Sequence, residues 1–266
     1  MKKKLLVGLL TAVLALSFLL GGCSKKAKEK DLLAQIQEKG EITIAMEGTW
    51  APWTYHDEND KLVGYDVEVG EKIAEKLGVT PKFVEGDWDS CLAGLEGGRY
   101  DIMINGVDVD EERSKKYDFS TPYCYNRIAL IVRGDNEEIT SFEDLDGKTT
   151  ANTLNSSYAK MAESYGATNT GVDDLIQTIE LVLAGRIDAT LNSEMTFADY
   201  MKAHPEADLK VVAFTEEATE TAIPMRKGEE TASLREAIND ALAELSESGE
   251  LTKLSEKYFG IDISQK

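Results

Sequence analysis

The sequence predicts an α/β protein with a largely parallel sheet, and three observations carry that reading. Short β-branched runs alternate with longer amphipathic ones from Glu41 onward, Gly or Pro separates many of them, and apolar residues in the longer runs recur at helical spacing. The composition agrees: of 266 residues 42% are hydrophobic and 29% charged, the balance of a chain that folds around a core. With 29 basic against 49 acidic residues, the formal net charge of −20 repels polyphosphate, so nucleic acid is not expected as a partner. Three cysteines and two histidines are too few for a disulfide framework or a zinc centre, and no cofactor or metal is expected.

The chain opens on Met1-Lys2-Lys3-Lys4 and an apolar run from Leu5 to Leu20, which reads as an export signal too short to cross a bilayer. Leu20-Gly21-Gly22-Cys23 places two small residues before a cysteine and resembles the bacterial lipobox. Residues 1–22 are therefore expected to be removed, Cys23 to carry lipid, and residues 23–38 to form a polar tether to the cell membrane. Glu41 to Met46 is the first strand, and Thr54-Tyr55-His56 with Leu62-Val63 flanks the turn Asp57-Glu58-Asn59-Asp60 as a hairpin. That acidic turn lacks the ligand spacing of a calcium loop. Asp66 is placed to cap a helix whose Val69, Ile73 and Leu77 share one face, and Gly78 ends it. A strand over Pro81 to Val84, a helix over Trp88 to Leu95 and a strand over Tyr100 to Ile104 complete a first unit.

A second unit begins with the strand Tyr125 to Val132, followed by a short helix near Ser141 to Leu145 and a strand over Thr149 to Thr153. Helices follow Ser156 and span Asp173 to Ala184 and Ser193 to Ala203, with strands at Ala189 to Leu191 and Leu209 to Ala213. A strand over Thr221 to Met225 and helices over Ser233 to Ser246 and Leu251 to Tyr258 close the chain. Cys91 lies in an apolar helical run and Cys124 beside an apolar strand, so both read as buried free thiols.

The sequence holds no Gly-x-Ser-x-Gly elbow, no Walker loop and no Gly-x-Gly-x-x-Gly after a strand, and an enzyme would have to work with carboxylates alone. Aromatic and charged residues gather instead at strand ends, where open α/β sheets bind ligands. Trp50 and Trp53 sit in the loop after the first strand, Asp87-Trp88 starts a helix, and Asn105-Gly106-Val107-Asp108 leads from a strand end toward Arg113. Arg113 has the planar fork suited to a carboxylate, unless an acid beside it takes that fork in a surface ion pair. Leu154-Asn155-Ser156-Ser157-Tyr158 is a strand-to-helix turn rich in hydroxyls.

Glu47-Gly48-Thr49-Trp50-Ala51-Pro52-Trp53, Leu62-Val63-Gly64-Tyr65-Asp66-Val67-Glu68, and Asp110-Glu111-Glu112-Arg113 through Tyr117-Asp118-Phe119-Ser120-Thr121-Pro122-Tyr123 resemble the polar amino-acid binding proteins of ABC importers. The ending Leu254-Ser255-Glu256-Lys257-Tyr258-Phe259-Gly260 resembles that family's C-terminus, and the look is nearest to its cystine-binding members. The resemblance implies a two-lobed periplasmic-binding-protein-like fold of type II, with residues 39–127 and 221–266 in lobe one, 128–220 in lobe two, and two hinge strands between them. It implies a monomer that is no enzyme, closes on a free amino acid and presents it to an ABC permease. In the family the residue at Arg113 grips the ligand α-carboxylate, and those at Trp50 and Trp88 sandwich the side chain. The acid at Glu47 lines the pocket, and Ser156 and Ser157 donate from lobe two; Trp53 and Gly106 belong to the same segments.

Two positions depart from that pattern. Asp108 stands where Ser or Thr is usual, and Ser193 stands where an Asp normally holds the ligand ammonium. An ammonium buried without a carboxylate costs several kcal/mol, so either Asp108, the preferred candidate, or Glu194 replaces it, or the ligand is not an ordinary α-amino acid. Two other readings share these residues: a carboxylate-only cyclohexadienyl or arogenate dehydratase, and a solute sensor that docks on a receptor.

Overall fold

The computed structural model describes residues 31–266. The expected signal segment and Cys23, with its expected lipid, lie outside them. The tether expected over 23–38 does not include residues 32–38, because α1 (Leu32–Lys39) is a helix whose Leu32 and Ile36 enter the core. Asp31 caps α1 by accepting from Ala34 N, and it also accepts from Ser233 Oγ of the C-terminal part of the chain. No apolar period announced this helix beyond those two residues.

Two five-stranded sheets organise the rest. The first contains β1 (Glu41–Met46), β5 (Thr80–Glu85), β6 (Ile102–Met103), β7 (Tyr117–Phe119) and β15 (Pro224–Arg226) in the order β5-β1-β6-β15-β7. The second contains β9 (Ile128–Arg133), β10 (Thr149–Asn152), β11 (Thr168–Gly171), β12 (Ala189–Ser193) and β13 (Leu209–Phe214) in the order β11-β10-β12-β9-β13. Each sheet is mixed rather than largely parallel. The β5-β1-β6 and β11-β10-β12 parts run parallel, whereas β15 and β9 pair antiparallel with their neighbours. The returning strands cause the difference, since each enters its sheet from a chain crossing rather than from a βαβ unit.

Alternation along the strands sends side chains to both faces of each sheet. In β1, Ile42, Ile44 and Met46 join the core formed with α2 (Tyr65–Leu77), α8 (Ala232–Glu247) and α9 (Glu250–Phe259). Ala45 points to the opposite core with Trp88, Cys91 and Leu95 of α3 (Trp88–Glu96). In β9, Ile128, Leu130 and Val132 pack on one side, while Ala129 and Ile131 pack against Ile179 and Val182 of α6 (Leu175–Leu183) on the other. Cys91 and Cys124 are both buried free thiols, as the sequence led us to expect.

The strand expected over 125–132 is in fact two. β8 (Cys124–Asn126) pairs with β14 (Thr219–Thr221) in a two-stranded ribbon, and β9 begins in the second sheet after Arg127. The strand expected over 221–225 splits likewise into β14 and β15. The ribbon is braced by the chain's end: Ile263 O accepts from Tyr125 N at 2.7 Å, and Lys266 Nζ lies 3.0 Å from Glu220 Oε1. Asp66 also differs from expectation. Gly64 caps α2, while Asp66 is fully buried inside it, accepting from Gly106 N at 2.6 Å and Tyr123 Oη–H at 2.7 Å.

Candidate ligand-binding site

A cavity opens between the C-terminal ends of the parallel strands of the two sheets, enclosing about 600 Å³ with its solvent mouth. One wall comes from the β1 and β6 ends: Glu47, Thr49, Trp50, Asn105 and Gly106, with Trp88 from the start of α3. The other is built by Asn152, Thr153, Ser156, Ser157 and Tyr158 around the start of α5 (Ser157–Ser164). Asp174, Leu175 and Thr178 at the start of α6, and Asn192 on β12, close that side. Of the expected site residues, Glu47, Trp50, Trp88, Gly106, Ser156 and Ser157 thus line one space. Asn152, Asp174, Thr178 and Asn192 were not foreseen as site residues, and Asn105 only as part of the segment leading to Arg113, although each sits at the strand-end or helix-start position where ligands are met.

Local chemistry sets the first wall. Asn105 is fully buried; its Oδ1 accepts from Glu47 N, and its Nδ2 donates to Glu47 Oε2 at 2.7 Å, fixing the carboxyl. Burial pushes the Glu47 carboxyl up to about 7, with the charges of Asp87 and Asp174 adding to the rise and the Asn105 bond opposing it. Trp50 stacks on Trp53 at 5.2 Å between ring centroids. Gly106 turns at φ +56° directly beneath Trp50, where an added Cβ would lie 2.5 Å from the ring. Gly106→Ala should therefore displace Trp50 and weaken any ligand held on it by about tenfold or more, which isothermal titration would register.

Arg113 belongs to α4 (Glu111–Lys116) and is 4% exposed. It sits beside the cavity rather than in its lining. Its guanidinium lies 5.2 Å over the Trp88 ring, donates through Nη1 to Asp108 O at 3.0 Å and through Nη2 to Asn155 O at 3.2 Å, and its Nε is 3.6 Å from Asp110. Asp108 is buried next to it, accepting from Ser157 Oγ and contacting Thr219 Oγ1 at 2.9 Å. Burial raises the Asp108 pKa, while Ser157 and Arg113 oppose the rise. Arg113 and Asp108 therefore each reach a residue of the second wall's turn.

Three expected site residues lie elsewhere. Trp53 is 1% exposed in the core, donating from Nε1 to Thr196 Oγ1 at 2.9 Å, because Trp50 covers the face it would offer. Ser193 is fully buried and caps α7 (Glu194–Ala203), accepting from Thr196 N and donating to Asn126 Oδ1 at 3.1 Å. Glu194 holds Arg127 in a two-point ion pair, both contacts 2.9 Å, outside the cavity. Neither is free to face a ligand there. Among the described residues two buried side-chain atoms lack a hydrogen-bond partner, Trp88 Nε1 and Asn152 Oδ1, and both residues are in the cavity lining.

Residues 42–261 match the model of the bacterial extracellular solute-binding proteins, family 3. The chain belongs to this family. The family 3 fold is two-lobed, and the two five-stranded sheets are the frames of its lobes. The chain is 40% identical over 240 residues to the L-cystine-binding protein TcyA of Bacillus subtilis, covering 90% of this chain and 88% of that one. It is 34% identical to the L-cystine-binding protein TcyJ of Escherichia coli K12, with 96% of each chain covered. Among solved structures, an ancestral arginine-binding protein bound to arginine matches with a TM-score of 0.77 at 35% identity, covering 83% of this chain and 99% of that one. The L-cystine solute receptor of Neisseria gonorrhoeae, unliganded and open, matches at 0.59 and 40% identity, covering 88% and 99%. These relatives are solute-binding proteins rather than enzymes, and no helix among the described residues of this family 3 chain is long and apolar enough to cross a membrane.

Proposed function

We propose that this chain is an extracytoplasmic lipoprotein, anchored through Cys23, that encloses a free polar amino acid between two closing lobes and delivers it as a monomer to an ABC permease. Lobe one would comprise residues 31–127 and 221–266, lobe two 128–220. The observation that carries the reading is the pair of unpartnered buried atoms, Trp88 Nε1 from the first sheet's side and Asn152 Oδ1 from the second's, on walls of one cavity. Buried polar groups are almost always satisfied, and a bound solute would satisfy these two at once.

Closure is the second part of the proposal. The higher TM-score to the arginine-bound relative than to the open one, despite lower identity, supports a nearly closed arrangement here. Hydrogen bonds already join the two sides: Arg113 to Asn155, Ser157 to Asp108, Asn155 to Asp89 and Trp53 to Thr196. A ligand α-carboxylate would take the Arg113 donors now on Asn155 O, and its ammonium would take the Asp108 oxygen now on Ser157. The ligand would thus favour the closed state only when it bridges both lobes.

A thermal-shift screen of the twenty amino acids, cystine and polyamines tests this. A bound amino acid at 100 times its dissociation constant stabilises the protein by about 2.7 kcal/mol, whereas silence throughout the screen would remove the proposal. Glu47 adds a pH signature. A cationic ligand group beside it favours the ionised carboxylate, so binding near pH 7 should release a fraction of a proton, read as a buffer-dependent heat in calorimetry and lost in Glu47→Gln.

One observation favours a second reading. An ancestral amino acid-binding protein described as a precursor of cyclohexadienyl dehydratase matches at 29% identity and a TM-score of 0.78. Glu47, holding its proton near neutrality, would then be the acid. Incubation with prephenate or arogenate distinguishes the two, since aromatic absorbance would develop only in the dehydratase.

A further inference from the structure

Asp108 is tied to more than Arg113 and the turn at Ser157. The segment around it runs antiparallel to β14: Val109 N donates to Glu220 O at 2.8 Å, Ala222 N donates to Val107 O at 3.0 Å, and Asp108 stands opposite Thr221. Thr219, two residues along β14, shares the face of Thr221, and its Oγ1 reaches Asp108 Oδ1 at 2.9 Å. The same Oγ1 lies 2.9 Å from Asn126 O on β8. Asn126 in turn accepts at Oδ1 from Ser193 Oγ at 3.1 Å. A chain of contacts thus runs from Asp108 across the ribbon of β8 and β14 to the start of α7.

A hydroxyl has one hydrogen to donate, and that of Thr219 stands between two acceptors. An ionised Asp108 attracts it more strongly than a neutral main-chain carbonyl does, because the bond is then charge-assisted. A protonated Asp108 releases it to Asn126 O. The charged and titratable groups around the carboxyl are Arg113 and Asp110 at α4, Tyr158 on α5 and Cys124 on β8. Arg113 favours the ionised form and Asp110 opposes it. Burial holds Tyr158 and Cys124 neutral by pushing both well above their usual range. Burial also raises the pKa of Asp108 itself, so a cation arriving beside it is what tips the balance toward the carboxylate.

We propose that Thr219 is a positioning residue for the ligand ammonium: it holds Asp108 Oδ1 so that Oδ2, now on Ser157, can turn to the ammonium, and it moves its hydrogen from Asn126 O to the carboxylate as the ammonium arrives. The inference rests on the amino-acid reading above and deepens it. It makes a residue of the ribbon, outside the cavity lining, part of ammonium recognition. Loss of the hydroxyl withdraws a donor from the carboxylate, which weakens its hold on the ammonium and leaves it easier to protonate.

The test is calorimetric titration with L-cystine and the twenty common amino acids, repeated between pH 4 and 7 with the strongest binder. All proteins carry Glu47→Gln, which removes the other raised carboxyl. Affinity should fall as pH drops through the Asp108 pKa. Thr219→Val keeps the shape of the side chain and should weaken binding about tenfold, with the acid limb moved to higher pH by roughly half a pH unit or more. Thr219→Ser keeps the hydroxyl and should restore both the affinity and the limb. Asp108→Asn, which cannot ionise, should remove the limb. An acid limb unmoved in Thr219→Val overturns the inference whatever the affinity. Equal losses in Thr219→Val and Thr219→Ser, the mark of a packing role, overturn it too, as does a limb that survives in Asp108→Asn. Absence of binding by any of these amino acids to the wild type would instead remove the underlying function.

Discussion

The Arg113→Ala protein should show no thermal shift with any amino acid that stabilises the wild type, and calorimetry should find binding weaker by at least about 100-fold. The guanidinium is 4% exposed and uses two hydrogen bonds to main-chain carbonyls, Asp108 O and Asn155 O, one from each side of the cavity. A neutral carbonyl is a weak partner for a buried cation, and a carboxylate is a strong one. Exchange of Asn155 O for a ligand carboxylate, as proposed, would therefore release free energy at the point where the two walls meet. Arg113→Lys should recover little of it, since a lysine presents a point charge and cannot span two acceptors in a plane. Wild-type affinity in either variant would mean that Arg113 is a structural cation serving Asp108, Asp110 and Trp88 alone.

The largest stability effect is expected at Asp66. Asp66→Ala would leave Gly106 N–H and the Tyr123 hydroxyl without their acceptor in a fully buried setting, costing about 2–5 kcal/mol, measurable by urea unfolding. The loss would reach the ligand site, because Gly106 carries Trp50. Burial pushes the Asp66 carboxyl up to about 7, against the bonds from Tyr123 and Gly106. The sign of the pH dependence follows. The folded form keeps this proton to about pH 7, while the unfolded chain loses it near 3.8, so the contribution is full below 3.8 and disappears as pH rises toward 7. Glu47 acts in the same direction between 4.5 and about 7. The unliganded protein should thus be more stable near pH 5 than near pH 8, with a slope that Asp66→Ala and Glu47→Gln each reduce. A flat or rising profile would contradict both assignments.

Most of the fold is legible in local pattern. The strand Glu41–Met46 appears where its β-branched run stands, and Gly78 ends α2 as a left-handed cap at φ +72°. Elements with no apolar period were illegible: β11 is Thr168-Asn169-Thr170-Gly171, a polar edge strand held by pairing with β10. The breaks at Arg127 and after Thr221 were hidden in the local pattern, because a chain passing between sheets keeps the same apolar character on both sides, and only the family resemblance set lobe boundaries near them. In the site, single-segment features such as Trp50, Trp88 and Ser156 could be read. Contributions fixed by distant partners could not: Ser193 donates to Asn126 and Glu194 meets Arg127, and neither fate is written in the residues beside them. Asn152 and Asp174 gain meaning only when β10 and α6 place them across from Glu47.

The closing residues of the polypeptide have a practical bearing on how such a protein is instrumented. Since Ile263 and Lys266 hold Tyr125 and Glu220 of the paired strands β8 and β14, an affinity tag or fluorescent reporter fused after Lys266 would pull directly on that ribbon. A handle meant to be inert should therefore be placed away from this ribbon and its C-terminal brace.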